Sequence, residues 1–593
     1  MEKQINRVMM FITLIFITTS CTELDLAQQD AASSENWYQT NEQFRQSLNE
    51  GYRDVFFPSD GNDGGYNPGW DDDVNYRTNL GPIKSGTVDS KFGRASTDWT
   101  NMYKGITRIL TVLEKIKTQS GVLTPTQEKE YEGEANFFLG VYWTYLITHF
   151  GDVPFYENPI TVDESFTIAR TDKALILQKI YKYFDVAAQN LPVSYLSGLE
   201  YATKGAAYAF KARAAIYMGD NVTASIAAKA CMDLTTYELH SNFQSLFLSS
   251  NKKSKEIIFK LSRSEEFLQT LNTNFILYLI PRNEGGYGSV IPSWELLASF
   301  ECVDGLPIDE SPLFDSHNPF KNRDPRLLAT IIPIGALKDG DGLSPDAGSR
   351  HMNREYNPHP QHTRVFNYLT GALETNKDTK SNQNFCSFNG LLFKKGIDSD
   401  WGDKTAANDL ILMRYADVLL MYAEAKIELN QIDASVLNAI NEVRDRAYAN
   451  SGFSNPRVIT TDKAKLRYIV RNERRSEFAG EWLRYMDLIR WKLADVIING
   501  GSTYGLAAIT ANADPNVVQA SSALMTKVVN PGNWFWGLTP QIDENGVADF
   551  KPLVNAGLVQ KLTTTSFPVH QYLWPIPDDE RRLNPNLTQN DGY

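Results

Sequence analysis

Glu473, Glu477 and Glu481 recur every four residues among Arg471, Arg474, Arg475 and Arg484. Paired carboxylates are the working groups of glycoside hydrolysis, where they must flank the scissile bond from opposite sides. Residues four apart on one helix stand side by side instead, so this face reads as an ion-paired packing surface. No HExxH, GxSxG or Walker loop occurs, and no enzymatic activity is expected. Asp339-Gly-Asp341-Gly begins like an EF-hand loop, but Leu343 and Arg350 fall where positions five and twelve need ligands. A loop calcium near Asp71-Asp72-Asp73 or Asp398-Ser-Asp400 is left open; no other cofactor is expected. His351, His359 and His362 lie in a Pro/Asn-rich stretch without steady ligand spacing and read as an exposed loop. Cys231, Cys302 and Cys386 are widely spaced and read as small core residues, not a disulfide framework or a metal site.

What remains is binding chemistry. Aromatic rings offer flat apolar faces to sugar rings, and Asn, Asp and Arg offer hydrogen bonds to hydroxyls. Three loop segments combine these groups. In Gly64–Arg77, Tyr66 and Trp70 sit among glycines with Asp71, Asp72, Asp73 and Arg77 close by. The second runs from Asn283 through Tyr287 to Trp294, and the third is Asn533-Trp-Phe-Trp536. The expected ligand residues are therefore Tyr66, Trp70, Asp72, Asp73, Arg77, Tyr287, Trp294, Trp534 and Trp536. The last pair is equally compatible with a loop folded onto its own small core. Trp99, Trp143, Trp482 and Trp491 lie in helical periods and read as core.

Those loops need a scaffold, and apolar spacings of three and four supply one. The pattern predicts helices over 99–117, 127–150, 172–190, 203–218, 221–234, 409–429, 433–449 and 462–498. Thr124-Pro125 gives the second an N-cap and an N1 proline. Ala212, Gly219 and Ala224 share their spacing with Ala423, Asn430 and Ser435, small residues at the points where tetratricopeptide hairpins approach closely. The fold expected is mainly α, a tetratricopeptide-like solenoid with helical blocks at about 37–235 and 405–498. Loop-rich insertions at about 240–400 and 499–565, with short strands at Ile257–Leu261 and Leu328–Pro333, and a terminal segment 566–593 complete a single domain over 37–593.

Residues 1–20 read as an export signal: Lys3 and Arg7, then an apolar run from Val8 to Ile17, about half the length needed to span a bilayer. Ser20 before Cys21 matches a bacterial lipobox, so lipid on Cys21 and a leader over 21–36 are expected to tether the body to a membrane. A net charge of -13 argues against nucleic acid, which wants clustered Lys and Arg. Aromatic residues make up 12% of the chain, more than a core alone requires.

Three segments narrow the class to a family. They are Leu412 to Ala425, continuing through Ala439-Ile-Asn-Glu-Val-Arg-Asp-Arg-Ala447; Ile469 to Trp491; and Tyr572-Leu-Trp-Pro-Ile-Pro577 with Asn584 to Tyr593. In this order behind a lipoprotein signal, they resemble the SusD/RagB family of Bacteroidetes nutrient-binding lipoproteins. Trp99-x-x-x-Tyr103, Arg323-Asp-Pro-Arg326 and Phe393-Lys-Lys-Gly-Ile-Asp398 extend the resemblance over most of the chain. The resemblance implies an outer-membrane protein, lipid-anchored and facing the cell exterior. It would capture oligosaccharide and pass it to a SusC-like TonB-dependent transporter, without catalysis. A peptide-binding RagB-like role and a surface glycoside hydrolase are the alternatives.

Overall fold

The computed structural model describes residues 37–58, 69–77, 79–195, 199–335, 349–379, 386–506 and 535–593. The principal helices are α1 (Asn41–Asn49), α2 (Gly93–Thr118), α3 (Pro125–Phe150), α4 (Lys173–Asn190), α5 (Lys204–Tyr217), α6 (Asn221–Met232), α7 (Tyr415–Glu428), α8 (Ala434–Tyr448), α9 (Lys463–Phe478) and α10 (Arg484–Trp491). Their ends are set locally. At α3 the Thr124 hydroxyl accepts from the Gln127 N–H while the Gln127 side chain takes the Thr124 N–H, with Pro125 at N1.

Packing follows chain order from α2 to α6, then passes to α7, which holds α8 and α9. The turn between α5 and α6 passes through Gly219 at φ 80°, and that between α7 and α8 through Asn430 at φ 57°. Ala212, Ala224 and Ala423 are fully buried where those helices meet. Helices hemmed in on several sides are apolar around their circumference, and Ala206, Ala207, Ala209, Ala214 and Ala215 of α5 fit that setting. The scaffold is the mainly helical, tetratricopeptide-like one that the spacing indicates.

The two irregular stretches form one further core. Trp294, Leu297, Phe300 and Leu327 pack with Trp536, Phe550 and Leu553. Ile257–Leu261 is a strand, pairing antiparallel with Leu410–Arg414. The helix expected from 409 therefore begins only at Tyr415. Leu328–Pro333 is not a strand: the Asp324 side chain caps a short helix, Pro325–Thr330. The helix expected over 462–498 breaks after Phe478, where Gly480 has φ 76° and Trp482 φ 63°, before α10 resumes. The histidine stretch is not an exposed loop. His351 belongs to the four-stranded sheet of Arg350–His351, Arg354–Glu355, Arg364–Asn367 and Ala372–Thr375. His351, His359 and His362 are buried, and desolvation lowers the first two to about 3 and about 4.

Candidate functional site

The glutamates of the α9 segment are ion-paired, but not to the arginines beside them. Glu477 accepts from Arg326 at 2.9 Å and Arg414 at 2.6 Å, and pairs with Arg446. Glu473 meets Arg326 at 2.5 Å and Arg444 at 3.1 Å. Arg474 turns instead to Asp417 and Asp487, while Arg475 and Arg484 reach back about 400 residues to the acidic triplet.

That reach overturns the expectation for Trp70. It is 4% exposed, edge-on to Tyr485 at 5.3 Å and Trp574 at 5.4 Å, with the Arg94 guanidinium 5.2 Å from its ring centroid. The charged triplet behind it acts as a strap. Asp72 takes Arg475 at 2.7 Å and Arg484 at 2.8 Å, and Asp73 takes Arg475 at 2.7 Å. Asp72 and Asp73 thus face guanidinium groups of the interior, in charge-assisted hydrogen bonds. Their neighbour Asp71 accepts the Asp73 N–H at 2.9 Å. Burial, with the charges of Asp73 and Asp72, pushes its carboxyl up to about 7. A carboxylate raised in the folded state costs stability as pH rises from about 4 to 7. Asp71→Asn is therefore expected to raise the thermal midpoint at pH 8, by the equivalent of about 1–3 kcal/mol, and to change little at pH 4.

Trp294 and Trp536 also leave the candidate set. They are 1% and 0% exposed and lie 5.9 Å apart by ring centroids; the Trp294 indole N–H donates to the Asn389 carbonyl at 2.9 Å. Both belong to the second core, which the Trp536 loop shares with the Trp294 segment instead of forming a small core of its own. Cys21, Tyr66 and Trp534, like Asp339 and Asp341, lie outside the described residues. Tyr287 and Arg77 do come together, 210 positions apart: Tyr287 is 40% exposed, and Arg77 donates to its carbonyl at 3.4 Å. The pairing of Val74–Tyr76 with Val290–Pro292 brings them side by side. It also gathers two tyrosines that sequence reasoning missed, since Tyr278 meets Tyr76 at 5.6 Å and Tyr287 at 5.8 Å. Gly286 permits the turn beneath, because a Cβ there would sit 2.2 Å from the Ile280 oxygen.

The short helix Thr273–Leu279, which carries Tyr278, also borders a cavity of about 870 Å³ through Phe275 and Leu279. Arg94, Thr97, Asp98 and Asn101, one stripe of α2 at spacings of three and four, give it polar lining. Phe247, Phe275, Trp401 and Trp482 give it aromatic lining. Most of its ionic groups are neutralised locally: Arg94 by Asp98 at 2.7 Å, Lys395 by Glu481 at 2.6 Å, and Asp409 by Lys260 at 2.8 Å; Arg263 donates to the Asn408 carbonyl at 3.0 Å. Trp482 reads as core from its helical period, yet it is only half-buried and lines the cavity. Gly480, two residues earlier, was the available signal that the period ends there. Phe247 and Phe275 carried no such signal. Among the described residues no three His, Cys, Asp or Glu groups gather to hold a metal.

The family model described as "SusD family" matches residues 255–593, more than half of the sequence. The chain belongs to the SusD family. A second SusD-like model, described as "Starch-binding associating with outer membrane", matches residues 73–217. SusD-like protein P25 of Formosa agariphila is 25% identical over 553 residues, covering 89% of this chain and 97% of that one. The crystal structure of a SusD-like carbohydrate binding protein from Bacteroides fragilis is similar at 27% identity, with a TM-score of 0.73 and coverage of 93% of this chain and 99% of that one. A laminarin binding SusD-like protein shares the fold at 18% identity, with a TM-score of 0.60 over 94% of this chain and 100% of that one.

Proposed function

We propose that this SusD-family protein is a cell-surface glycan-binding lipoprotein that captures oligosaccharide and passes it to a SusC-like TonB-dependent transporter in the outer membrane. The observation that carries the reading is the cavity. It has room for several sugar rings, aromatic side chains that can stack on them, and the α2 stripe of Thr97 and Asn101 to meet hydroxyls. Three of the four cavity carboxylates are ion-paired, Asp98 with Arg94, Asp409 with Lys260, and Glu481 with Arg414 and Lys395. The exposed Asp54 therefore has no free carboxylate partner among the lining residues, which supports capture rather than acid–base turnover. Names given to relatives, carbohydrate binding and laminarin binding, point the same way. Lipid on Cys21 would tether the body outside the cell, close to the transporter.

Calorimetry of the intact protein against a panel of oligosaccharides tests this. Phe275→Ala and Trp482→Ala are each expected to weaken binding about tenfold or more. Binding of peptides instead of glycans, or glycan affinity unmoved by both substitutions, would overturn the reading.

A further inference from the structure

Arg467, Arg471 and Arg475 stand every four residues along one face of α9. With Arg484 they border a second pocket of about 190 Å³ that shares no lining residue with the larger cavity. Three of these guanidiniums are already matched. Arg467 grips Glu428 through two hydrogen bonds of 2.6 Å. Arg475 holds Asp72 and Asp73, and Arg484 holds Asp72. Arg471 makes no ion pair among the described residues, and its Nε–H is buried without a hydrogen-bond partner. Its guanidinium carbon lies 4.9 Å from the centroid of the Trp491 ring, a cation–π contact. The two acids whose charge reaches it are engaged elsewhere: Glu424 by Arg490 and the Trp491 indole N–H, and Glu428 by Arg467. Desolvation lowers the pKa of Arg471, as expected for a cation lacking its counter-charge.

Buried and half-buried guanidiniums are ordinarily paired, because an unmatched charge loses hydration without recovering it. We propose that this pocket is an anion site in which Arg471 binds a small oxyanion group, a phosphate or a carboxylate. The planar fork suits either group, and the pocket is large enough for one. The anion comes from one of two sources, a free inorganic ion or a carboxylate carried by another molecule. Glu544, on an exposed turn at the rim, is the internal competitor for the same fork.

Thermal unfolding of the intact protein, with sodium phosphate or sodium acetate exchanged for chloride at constant ionic strength, tests the site. The expected result is a saturable rise in midpoint. In Arg471→Gln, which removes the guanidinium but keeps a polar side chain, the apparent affinity should fall about tenfold or more. Arg471→Lys should recover part of it, and Glu544→Gln should retain or tighten it. A response to phosphate assigns the site to a free ion, whereas a response to acetate alone assigns it to a carboxylate borne by a partner. Equal shifts in the parent protein and Arg471→Gln, or no saturable shift with either anion, would overturn the proposal.

Discussion

Glu477→Gln is expected to lower the thermal midpoint severely, by the equivalent of about 3–5 kcal/mol. Glu477 is fully buried, and its two oxygens serve Arg326, Arg414 and Arg446. Those arginines join four separate pieces of chain to α9: the Pro325–Thr330 helix, the Leu410–Arg414 strand, α8, and the Glu256 segment that Arg414 and Arg446 also hold at 2.8 and 2.7 Å. Glutamine keeps the shape but removes the charge, leaving guanidiniums that cannot return to water. The three arginines hold the Glu477 carboxyl well below the ordinary carboxylate range, although burial opposes them. A depressed folded pKa means that the contribution is present at neutral pH and is lost as pH falls below about 4. The gap between parent and variant should therefore be full at pH 7 and shrink in acid. Asp445→Asn supplies the contrast: its pair with Arg457 is half-exposed on both sides, and such pairs contribute about 0–1 kcal/mol. If Glu477→Gln unfolds within about 1 kcal/mol of the parent, the network does not clamp these segments together.

Trp70→Ala is expected to cost about 3–5 kcal/mol of stability while leaving glycan affinity unchanged in the remaining folded protein. The ring fills a pocket between Tyr485 and Trp574 and is covered by Arg94. Truncation leaves a void lined by aromatic residues that meet from α10 and the C-terminal segment, so the site cannot simply collapse. A stacking residue in a ligand site would give the opposite result, with affinity lost and the midpoint unmoved. Measuring both quantities on one variant separates the two roles.

Trp70 also shows why loop residues mislead when read from sequence. A tryptophan among glycines, outside any helical or strand period, has no local reason to be buried, and exposure is the natural inference. Burial came from the strap of Asp72 and Asp73 onto Arg475 and Arg484, about 400 residues away. Trp294 and Trp536 were hidden in the same manner, each supplying half of a core that neither segment could form alone. Tyr287 and Arg77 are the expected ligand residues that the fold leaves accessible together. The two tyrosines beside them have no loop signature, because Tyr278 sits in a short helix and Tyr76 in a three-residue strand.

The sequence by itself determined what depends on contacts within a turn or two of chain. That covers the helical scaffold, the Thr124–Gln127 capping box, the left-handed turns at Gly219 and Asn430, and the membership carried by segments such as Ile469 to Trp491. Helical period and capping are interactions between residues three or four apart, so the order of side chains is enough to specify them. The tertiary structure alone decided which arginine meets which acid, which tryptophans are core, and where the cavity opens. Those outcomes rest on desolvation and charge pairing between segments hundreds of residues apart. Glu477 is the clearest instance: four arginines stand close to it in sequence, and the three that hold it come from elsewhere.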